Sequence, residues 1–420
     1  MAFADPHRHD RLADRFCAVR ALTERLSEPL SPEDQTVQSM PDVSPTAWHR
    51  AHTTWFFETF VLAAFDDAYV PVDESYDFLF NSYYEAVGER QPRARRGMIS
   101  RPGATAVGAY RAAVDRRVLD FLSDPHPLEA DGVVVLGLHH EQQHQELLLM
   151  DIKHVLAQNP THPSYRAVEP EPVGTSPPLG WTDHDGGLVA IGHSGEGFAF
   201  DNETPCHEAL VRPFSLADRP VTCADWLEFM ADGAYQRPEL WLSDGWYAAQ
   251  GVGWEAPLYW DRVDDRWWLQ TLTGHRLVDP AEPVVHVSLY EADAFARWAG
   301  ARLPTEFEWE VASRSAVTDT DTFDLERLHP RPPPPARPGE VVQMFGGVWE
   351  WTASPYSPYP GFTTPPGALG EYNGKFMIDQ TVLRGGACVT PPGHVRATYR
   401  NFFPASARWP FCGLRLATDA

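Results

Sequence analysis

The sequence predicts a multi-domain protein in which an N-terminal four-helix bundle precedes a C-terminal α+β domain. Before position 160, apolar side chains recur at helical spacing, whereas after position 180 short apolar runs lie among many glycines, prolines and tryptophans. Between these regions, eight residues of the stretch 160–180 are proline or glycine, which is typical of an interdomain linker. We therefore predict a bundle over 1–160, a linker over 161–185 and a second domain over 186–420.

Four amphipathic segments predict the helices of the bundle. Apolar residues at helical spacing between Leu12 and Leu26 mark the first helix. Ser44 as N-cap and Pro45 at the first helical position predict the start of the second helix, which extends to about Phe65. The third and fourth helices are expected over 104–122 and 131–156.

The second domain is expected to be rich in loops. The apolar run 188–191 predicts a strand, and the pattern over 288–299 predicts a helix. We expect one or two helices in this domain, with short strands making up the rest of its regular structure.

Composition narrows the function. A net charge of -24 argues against nucleic acid or an anionic membrane as a partner, because both bind basic surfaces. The five cysteines are odd in number and contain no Cys-x-x-Cys pair, which favours a reducing compartment. We find no signal peptide and no long apolar run, so we expect a cytoplasmic protein that acts on small molecules. The sequence does not indicate the oligomeric state.

The clearest chemical signal is a pair of histidines four residues apart. His140 and His144 fall in a helical segment, where this spacing places both imidazoles on one face. Two imidazoles so placed can bind one metal ion, although zinc, iron, copper and nickel all accept such ligands. A third ligand is expected from the second helix. There His52 has apolar neighbours at helical spacing, whereas His49 lies toward the margin, so we favour His52.

Several motifs then resemble those of a known family. The N-terminal half resembles the DinB-like four-helix bundles, which place three histidines around one metal. The chain from residue 198 onward resembles a formylglycine-generating-enzyme domain, a C-type-lectin-like fold, and the two modules occur in the order of the ergothioneine-biosynthesis sulfoxide synthases. The motifs of the second domain lie at 198–203, 283–288, 302–310, 347–352, 383–386 and 413–417.

This resemblance implies a mononuclear non-haem iron(II) enzyme. Such an enzyme uses O2 to join cysteine or γ-glutamylcysteine to C2 of the imidazole of hercynine, giving a sulfoxide. His52, His140 and His144 match the iron ligands of the family. The resemblance also implies that Gln143 hydrogen-bonds the hercynine imidazole and that Asn401 contacts the hercynine carboxylate.

The adjacent Tyr83 and Tyr84 resemble a branch of the family in which a tyrosine pair lies beside the iron. A phenol with a pKa near 10 stays protonated at neutral pH and can donate a proton during oxygen reduction. One of the two is expected to be structural, and the sequence leaves open which one is the acid.

A basic cluster follows the tyrosines in this acidic chain. Guanidinium groups bind carboxylates through paired hydrogen bonds, so the cluster is suited to the carboxylate of an amino-acid thiol. Arg93 and Arg96 are the expected donor contacts, although the sequence does not show which arginines reach the site. The cluster consists of Arg90, Arg93, Arg95, Arg96 and Arg101.

The identity of the donor stays open. This chain has Gln91 where the family commonly has histidine, and Pro410 where it has glutamine. A close relative, selenoneine synthase, shares the architecture and hercynine but takes a selenosugar, so this activity is the main alternative. A sugar carries no carboxylate, so retained arginine contacts favour the thiol donors.

Two alternatives of a different class remain. The bundle could be a zinc-dependent thiol transferase or hydrolase joined to a lectin-like binding module. Zinc would need a nearby carboxylate base, and Glu141 and Glu146 flank the histidine pair, but by helical angle neither shares its face fully. A copper oxidase like the formylglycine-generating enzymes would need a close cysteine pair, for which Cys388 and Cys412 are the candidates. We expect these two cysteines to be core or free thiols.

Overall fold

A computed structural model of the chain describes residues 7–168, 173–316 and 322–420. The chain divides into two compact units, the first comprising Met1–Thr161 with Pro366–Glu371 and the second comprising His162–Pro365 with Tyr372–Ala420. None of the five cysteines forms a disulfide bond. Within the described ranges, no helix is both long and apolar enough to cross a membrane.

The first unit is a helical bundle built on four long segments. The second segment continues from α2 through a π-helical turn, Glu58–Leu62, into α3. The predicted positions of all four segments agree with the observed helices to within a few residues, because amphipathic spacing is a local signal. The helices are α1 (His7–Ser27), α2 (Thr46–Phe57), α3 (Ala63–Phe65), α4 (Tyr76–Phe80), α5 (Ala104–Ser123) and α6 (Leu128–Ala157).

The predicted cap of α2 is wrong by one residue. Pro45, with extended backbone, is the N-cap, and Ser44 makes no cap hydrogen bond. Instead the Ser44 hydroxyl accepts a hydrogen bond from the Arg96 guanidinium at 2.9 Å, and the Ser44 N–H donates to Asp151 at 2.8 Å. Long-range partners therefore take up the groups that a local cap would have used.

A short segment from the second half of the sequence belongs to the first unit. Residues 366–371 include a 3₁₀ turn, Ala368–Glu371. The Glu371 carboxylate accepts hydrogen bonds from the backbone N–H groups of Glu85 and Ala86 at 3.0 and 2.9 Å. This carboxylate therefore holds the loop that follows Tyr83 and Tyr84.

The second unit contains four small sheets and four helices in its described part. The sheets have the strand orders β1-β4-β12, β2-β3, β5-β6-β7 and β10-β9-β8-β11, and only the β8–β11 pair is parallel. The strands are β1 (Trp181–His184), β2 (Gly187–Ile191), β3 (His207–Val211), β4 (Phe214–Ala217), β5 (Trp260–Val263), β6 (Arg266–Thr271), β7 (Gly274–Leu277), β8 (Trp349–Pro355), β9 (Thr381–Arg384), β10 (Asn401–Phe403), β11 (Cys412–Gly413) and β12 (Ala417–Asp419). The helices are α7 (Cys223–Ala231), α8 (Ser243–Val252), α9 (Leu289–Trp298) and α10 (Glu306–Ser313).

The sequence analysis predicted one or two helices in this unit, which is fewer than the four observed. Three of the four begin with a capping box, in which Thr222, Ser288 and Thr305 each pair with an acidic residue three positions later. The helix predicted over 288–299 is observed as α9. The other two, α7 and α10, have nine and eight residues and show too few apolar repeats to stand out by periodicity. Strand β1 also lies inside the stretch 161–185 that was predicted to be linker, because it pairs with β4.

Buried ion pairs explain several motifs of the second unit. Glu306 pairs with Arg400 at 2.9 Å, and Glu350 pairs with Arg415 at 2.9 Å. Removing one partner of such a pair leaves an uncompensated buried charge. The charged residues of these motifs therefore hold the fold together.

Candidate metal centre

Three imidazoles from two helices meet inside the bundle. His52 of α2 and His140 and His144 of α6 each present one ring nitrogen, and these nitrogens lie within 4.8 Å of one another. The Nε2 atoms of His52 and His140 are 3.2 Å apart. Metal–nitrogen bonds of 2.0–2.1 Å place neighbouring donors roughly 3.0 to 3.4 Å apart, depending on the bond angle. The spacing therefore fits one shared metal ion.

Close packing of α2 on α6 brings the three histidines together. Gly137 lies one turn before His140, and a Cβ added there would lie 2.7 Å from a ring carbon of Phe57. A larger residue at this position would force the phenylalanine rings or the helices to shift. Within α6 the i,i+4 spacing then sets the positions of His140 and His144.

The ring of His52 is fixed on both faces and at one edge. Trp48 stacks on it at a centroid distance of 4.6 Å, and Trp55 stacks at 5.6 Å. Its Nδ1 donates a hydrogen bond to the carbonyl oxygen of Phe80 at 2.6 Å. This hydrogen bond fixes the tautomer, so the lone pair of Nε2 faces the other two histidines.

His49 is buried beside the centre rather than at its margin. Only 2% of it is exposed, and its Nε2 lies 3.1 Å from the Asp151 carboxylate. Its Nδ1 is 2.8 Å from Nδ1 of His144. If Nε2–H of His49 donates to Asp151, Nδ1 of His49 must accept from His144. The Nε2 of His144 is then the atom left to bind a metal.

Burial keeps these imidazoles uncharged. Loss of solvation lowers the pKa of His52 and His144 well below the usual range, and the neighbouring imidazoles lower it further. Burial also lowers the pKa of His140 to about 3, against an opposing effect of Glu141. Neutral imidazole is the form that binds metals.

Glu141, the next residue of α6, is held by a separate ionic network. Its carboxylate accepts hydrogen bonds from Arg20 and Arg111, each at 2.8 Å, and from Thr23 at 2.6 Å. Burial alone would raise the pKa of Glu141, but the two arginines and the hydrogen bonds lower it to about 2. A carboxylate so occupied is poorly suited to act as the general base that a zinc hydrolase needs.

The tyrosine pair lies next to the aromatic side of the centre. Tyr84 is buried, and its ring packs against Trp55 at 5.8 Å and Phe60 at 5.0 Å. Tyr83 is half-buried, with its ring 4.7 Å from that of Tyr84. Trp55 also stacks on His52, so one indole ring contacts both Tyr84 and a residue of the histidine cluster.

Of the arginine cluster, Arg96 alone is buried. Its guanidinium lies over the ring of Trp48 at 3.4 Å and donates hydrogen bonds to the hydroxyls of Ser44 and Ser82 at 2.9 and 3.1 Å. Within the described ranges, no carboxylate forms an ion pair with it. Burial and the nearby Arg93 lower the pKa of Arg96 well below its usual value. A buried guanidinium that forms no ion pair suits an anionic ligand.

The other arginines lie nearer the surface. Arg93 is exposed and donates to the backbone carbonyl of Asp42, and the half-buried Arg90 pairs with Glu85. Arg95 and Arg101 are exposed. The cluster is therefore divided between one buried guanidinium and several solvated ones.

The two expected contacts of the hercynine substrate lie in different units. Gln143 is half-buried on α6 beside His144. Asn401 begins β10 of the second unit, and its side-chain oxygen accepts a hydrogen bond from the N–H of Phe402 at 2.9 Å. Their roles stay predictions.

Sequence reasoning missed the stacking residues and the His49–Asp151 pair. Trp48 and Trp55 lie four residues before and three residues after His52, so helical spacing could have placed them on its face. Asp151 lies far from His49 in sequence, and no local signal connects them. Such long-range pairs required the three-dimensional structure.

Comparison with protein families covers nearly the whole chain. Residues 15–148 match the DinB superfamily. Residues 183–336 and 326–420 match the sulfatase-modifying factor enzyme 1-like domain. The prediction of a DinB-like bundle followed by a formylglycine-generating-enzyme-like domain is thereby confirmed.

Individual relatives extend this similarity to the full length. The chain is 33% identical to the hercynine oxygenase of Mycolicibacterium smegmatis, over 98% of this chain and 99% of the relative. It is also 33% identical to the hercynine oxygenase of Mycobacterium tuberculosis, with the same coverage. Ergothioneine biosynthesis protein 1 of Schizosaccharomyces pombe is 26% identical over 53% of this chain and 28% of the relative.

Proposed function

This chain belongs to the hercynine oxygenase family, and from that premise we propose that it uses iron(II) and O2 to join hercynine to a thiol. The bond would form between C2 of the imidazole and the sulfur of cysteine or γ-glutamylcysteine, giving a sulfoxide in ergothioneine biosynthesis. The observation that carries the proposal is the cluster of His52, His140 and His144 inside the bundle. Membership of this family already makes the protein an oxygenase.

The donor set fits a divalent iron ion. The three imidazoles are neutral, and the Nε2 atoms of His52 and His140 are 3.2 Å apart. Bound there, iron(II) would supply the one-electron chemistry with O2 that side chains lack, with coordination positions left for substrates. Zinc would accept the same ligands, so the choice of iron depends on the family.

Arg96 is the best candidate for binding the carboxylate of the thiol donor. It is buried, donates to two serine hydroxyls and lies over Trp48, and it forms no ion pair with an acid of the described ranges. A carboxylate ligand would supply the missing negative charge through two parallel hydrogen bonds. Arg93, on the same 3₁₀ turn, would contribute attraction from the surface. This arrangement favours an amino-acid thiol over a selenosugar.

Gln143 and Asn401 would bind hercynine. The amide of Gln143 can donate a hydrogen bond to an uncharged imidazole or accept one from it. Gln143 lies on α6 immediately before His144. Asn401 uses its side-chain oxygen on the backbone, which leaves its amide N–H groups as donors to a carboxylate.

Tyr83 or Tyr84 would provide a proton during oxygen reduction. Both carry a phenol hydroxyl that is protonated at neutral pH in model compounds. A proton donated by either hydroxyl group would favour coupling of the thiol to hercynine over simple oxidation of the thiol. The indole of Trp55 keeps water away from the face of His52 on this side.

One experiment tests the proposal. Protein loaded anaerobically with Fe(II) is mixed with O2, hercynine and either cysteine, γ-glutamylcysteine or a selenosugar, and products are identified by mass spectrometry. We expect a hercynine–thiol sulfoxide only when iron, O2 and a thiol are all present. Zinc-loaded protein is the matched control. Product from zinc-loaded protein, or a product with the selenosugar alone, would overturn the assignment.

A further inference from the structure

A hydrogen-bonded chain of three buried side chains leads away from the metal centre. The Nδ1 atoms of His144 on α6 and His49 on α2 are 2.8 Å apart, and Nε2 of His49 lies 3.1 Å from the Asp151 carboxylate. Among the described residues, His49 is not a member of the three-donor group at the centre. Its contact with one member of that group therefore needs a separate explanation.

The contact between the two imidazoles has the geometry of a hydrogen bond. Their ring planes are inclined at 56° and their centroids are 5.1 Å apart, so the rings do not stack and approach through their nitrogen atoms. Two donors of one metal ion with bonds of 2.0–2.1 Å would lie roughly 3.0 to 3.4 Å apart. The observed 2.8 Å is shorter and falls within the range of about 2.7–3.2 Å for a hydrogen bond from N–H. His49 is therefore a hydrogen-bond partner of His144 rather than a fourth ligand.

Metal binding fixes the direction of both hydrogen bonds. A neutral imidazole that binds a metal through Nε2 carries its proton on Nδ1, so Nδ1–H of His144 donates to Nδ1 of His49. His49 must then carry its own proton on Nε2, and this N–H donates to Asp151. In the opposite order, Nδ1–H of His49 would donate to His144, whose proton would lie on Nε2 and block the metal. The Asp151 carboxylate, which only accepts, selects the first order.

Asp151 is held in place as the last acceptor of this chain. It is buried, and its Oδ2 also accepts a hydrogen bond from the Ser44 N–H at 2.8 Å. The Ser44 hydroxyl in turn accepts from the Arg96 guanidinium at 2.9 Å. Because Asp151 and His49 are both buried, these partners determine where the protons lie, without competition from bulk water.

We propose that His49 and Asp151 are positioning residues of the metal centre, which hold His144 as the Nδ1–H tautomer and make its Nε2 a stronger donor. A carboxylate at the far end of such a hydrogen-bonded chain increases the basicity of the imidazole that binds the metal. This inference rests on the iron centre of the proposed function. Two effects follow: tighter binding of Fe(II), and a lower Fe(III)/Fe(II) potential, because the more highly charged ion gains more from a stronger donor.

Substitutions at position 49 test the first effect. His49→Phe keeps a ring but removes the acceptor for His144, so the affinity for Fe(II) should fall by about 10–100-fold, the usual effect of losing an outer-shell partner. His49→Gln offers both hydrogen bonds again, because an amide accepts through its oxygen and donates through its nitrogen. Its affinity should be nearly that of the unsubstituted protein. Anaerobic titration of metal-free, full-length protein with Fe(II) against a competing chelator measures both.

The redox potential separates positioning from a merely structural role. Asp151→Asn keeps the size of the side chain but removes its charge, so the Fe(III)/Fe(II) potential should rise. The rise is about 59 mV for each tenfold by which binding of Fe(III) weakens more than binding of Fe(II). Spectroelectrochemical titration measures it. The control is His139→Phe, because His139 is a buried histidine of α6 that contacts Arg15 and lies outside the three-donor group. Affinity and potential should both stay unchanged in this variant.

The results distinguish this proposal from its alternatives, with denaturant unfolding showing which variants are folded. Loss of iron in a folded His49→Gln variant, to the same degree as in His49→Phe, would make His49 a ligand and refute the positioning role. Unchanged affinity in His49→Phe, or an unchanged potential in Asp151→Asn, would also refute it but leave the proposed function intact. If the unsubstituted protein bound no iron, both proposals would fail.

Discussion

The two sides of helix α6 bury polar residues in opposite ways. On one side, His140 lies among imidazoles and aromatic rings, and burial lowers its pKa to about 3. On the other side, the adjacent Glu141 is buried as completely, but two arginines keep it ionised. One side thus offers uncharged nitrogen donors, while the other neutralises every charge internally.

A bundle can hold a reactive centre and remain stable when the charges on another side of the same helix are paired. Paired charges on one side of α6 fix the helix relative to α1 and α5, the helices that carry Arg20 and Arg111. The opposite side is then free to present imidazoles with no internal charge partner. Arg96 resembles the reactive side, because burial lowers its pKa while Asp151 opposes this shift only in part.

Removing an imidazole should produce the largest effect. His52→Ala, His140→Ala and His144→Ala should each weaken Fe(II) binding by more than about 100-fold and abolish turnover, since outer-shell partners alone are worth about 10–100-fold. Iron content after dialysis measures this. His139→Ala is the matched control, because His139 is a neighbouring buried histidine that contacts Arg15. Full iron occupancy in His52→Ala would transfer the ligand role to His49.

Neutralising the opposite side should affect stability instead. Glu141→Gln leaves Arg20 and Arg111 without their buried carboxylate, so the free energy of unfolding should fall by about 3–5 kcal/mol. Denaturant unfolding measures this change. The exposed Glu129→Gln on the same helix should change it by less than about 0.5 kcal/mol. The comparison of the two sides would fail if both variants unfolded alike, or if Glu141→Gln lost iron while remaining fully folded.

Changing the tyrosines should alter the product rather than binding. Tyr83→Phe and Tyr84→Phe retain the ring packing but remove the acidic hydroxyl, so coupling should fall relative to simple thiol oxidation by about 10²-fold in the variant that lacks the acid. Product ratios for both single variants and the double variant identify the acid. Ratios unchanged in all three would assign the proton to water or to another residue.

Truncating the buried arginine should have the smallest of these effects. A hydrogen bond to a charged group contributes about 1.5–3 kcal/mol, so Arg96→Ala should raise the KM for the thiol by about 10–100-fold and leave hercynine little affected. Arg93→Ala should raise it less, because Arg93 is exposed. Arg95→Ala, exposed on the same 3₁₀ turn, is the control. If the KM for the thiol were unchanged in both Arg93→Ala and Arg96→Ala, the arginine cluster would not bind the donor. That result would favour a selenosugar as the donor.

The local parts of this arrangement follow from the sequence. The meeting of His140 with His144 follows from helical spacing alone, and the choice of His52 over His49 followed from its apolar neighbours. The four bundle helices were found by the same reasoning. Each of these features depends on residues within a few positions of one another.

Features that depend on distant residues could not be predicted. The arginine partners of Glu141 lie 30 and 121 positions away, so the sequence gave no sign that this carboxylate is already paired. It was therefore considered as a base for a zinc site. His49 was placed at the margin because its neighbours at helical spacing are less apolar than those of His52. Its buried partner Asp151 is 102 positions distant and gave no local signal. The cap at Ser44 failed for the same reason, since Arg96 competes for its hydroxyl.

The segment 366–371 gives the first unit a discontinuous sequence, and this has a consequence for synthesis on the ribosome. Glu371 leaves the ribosome roughly 200 residues after Thr161, which at about 5–20 residues per second takes roughly 10–40 s. Until then, the N–H groups of Glu85 and Ala86 must do without its carboxylate. A gene shortened to end at Thr161 would encode the histidine cluster but not the segment 366–371. Separate production of the bundle should therefore supply this segment as a peptide or as a fusion.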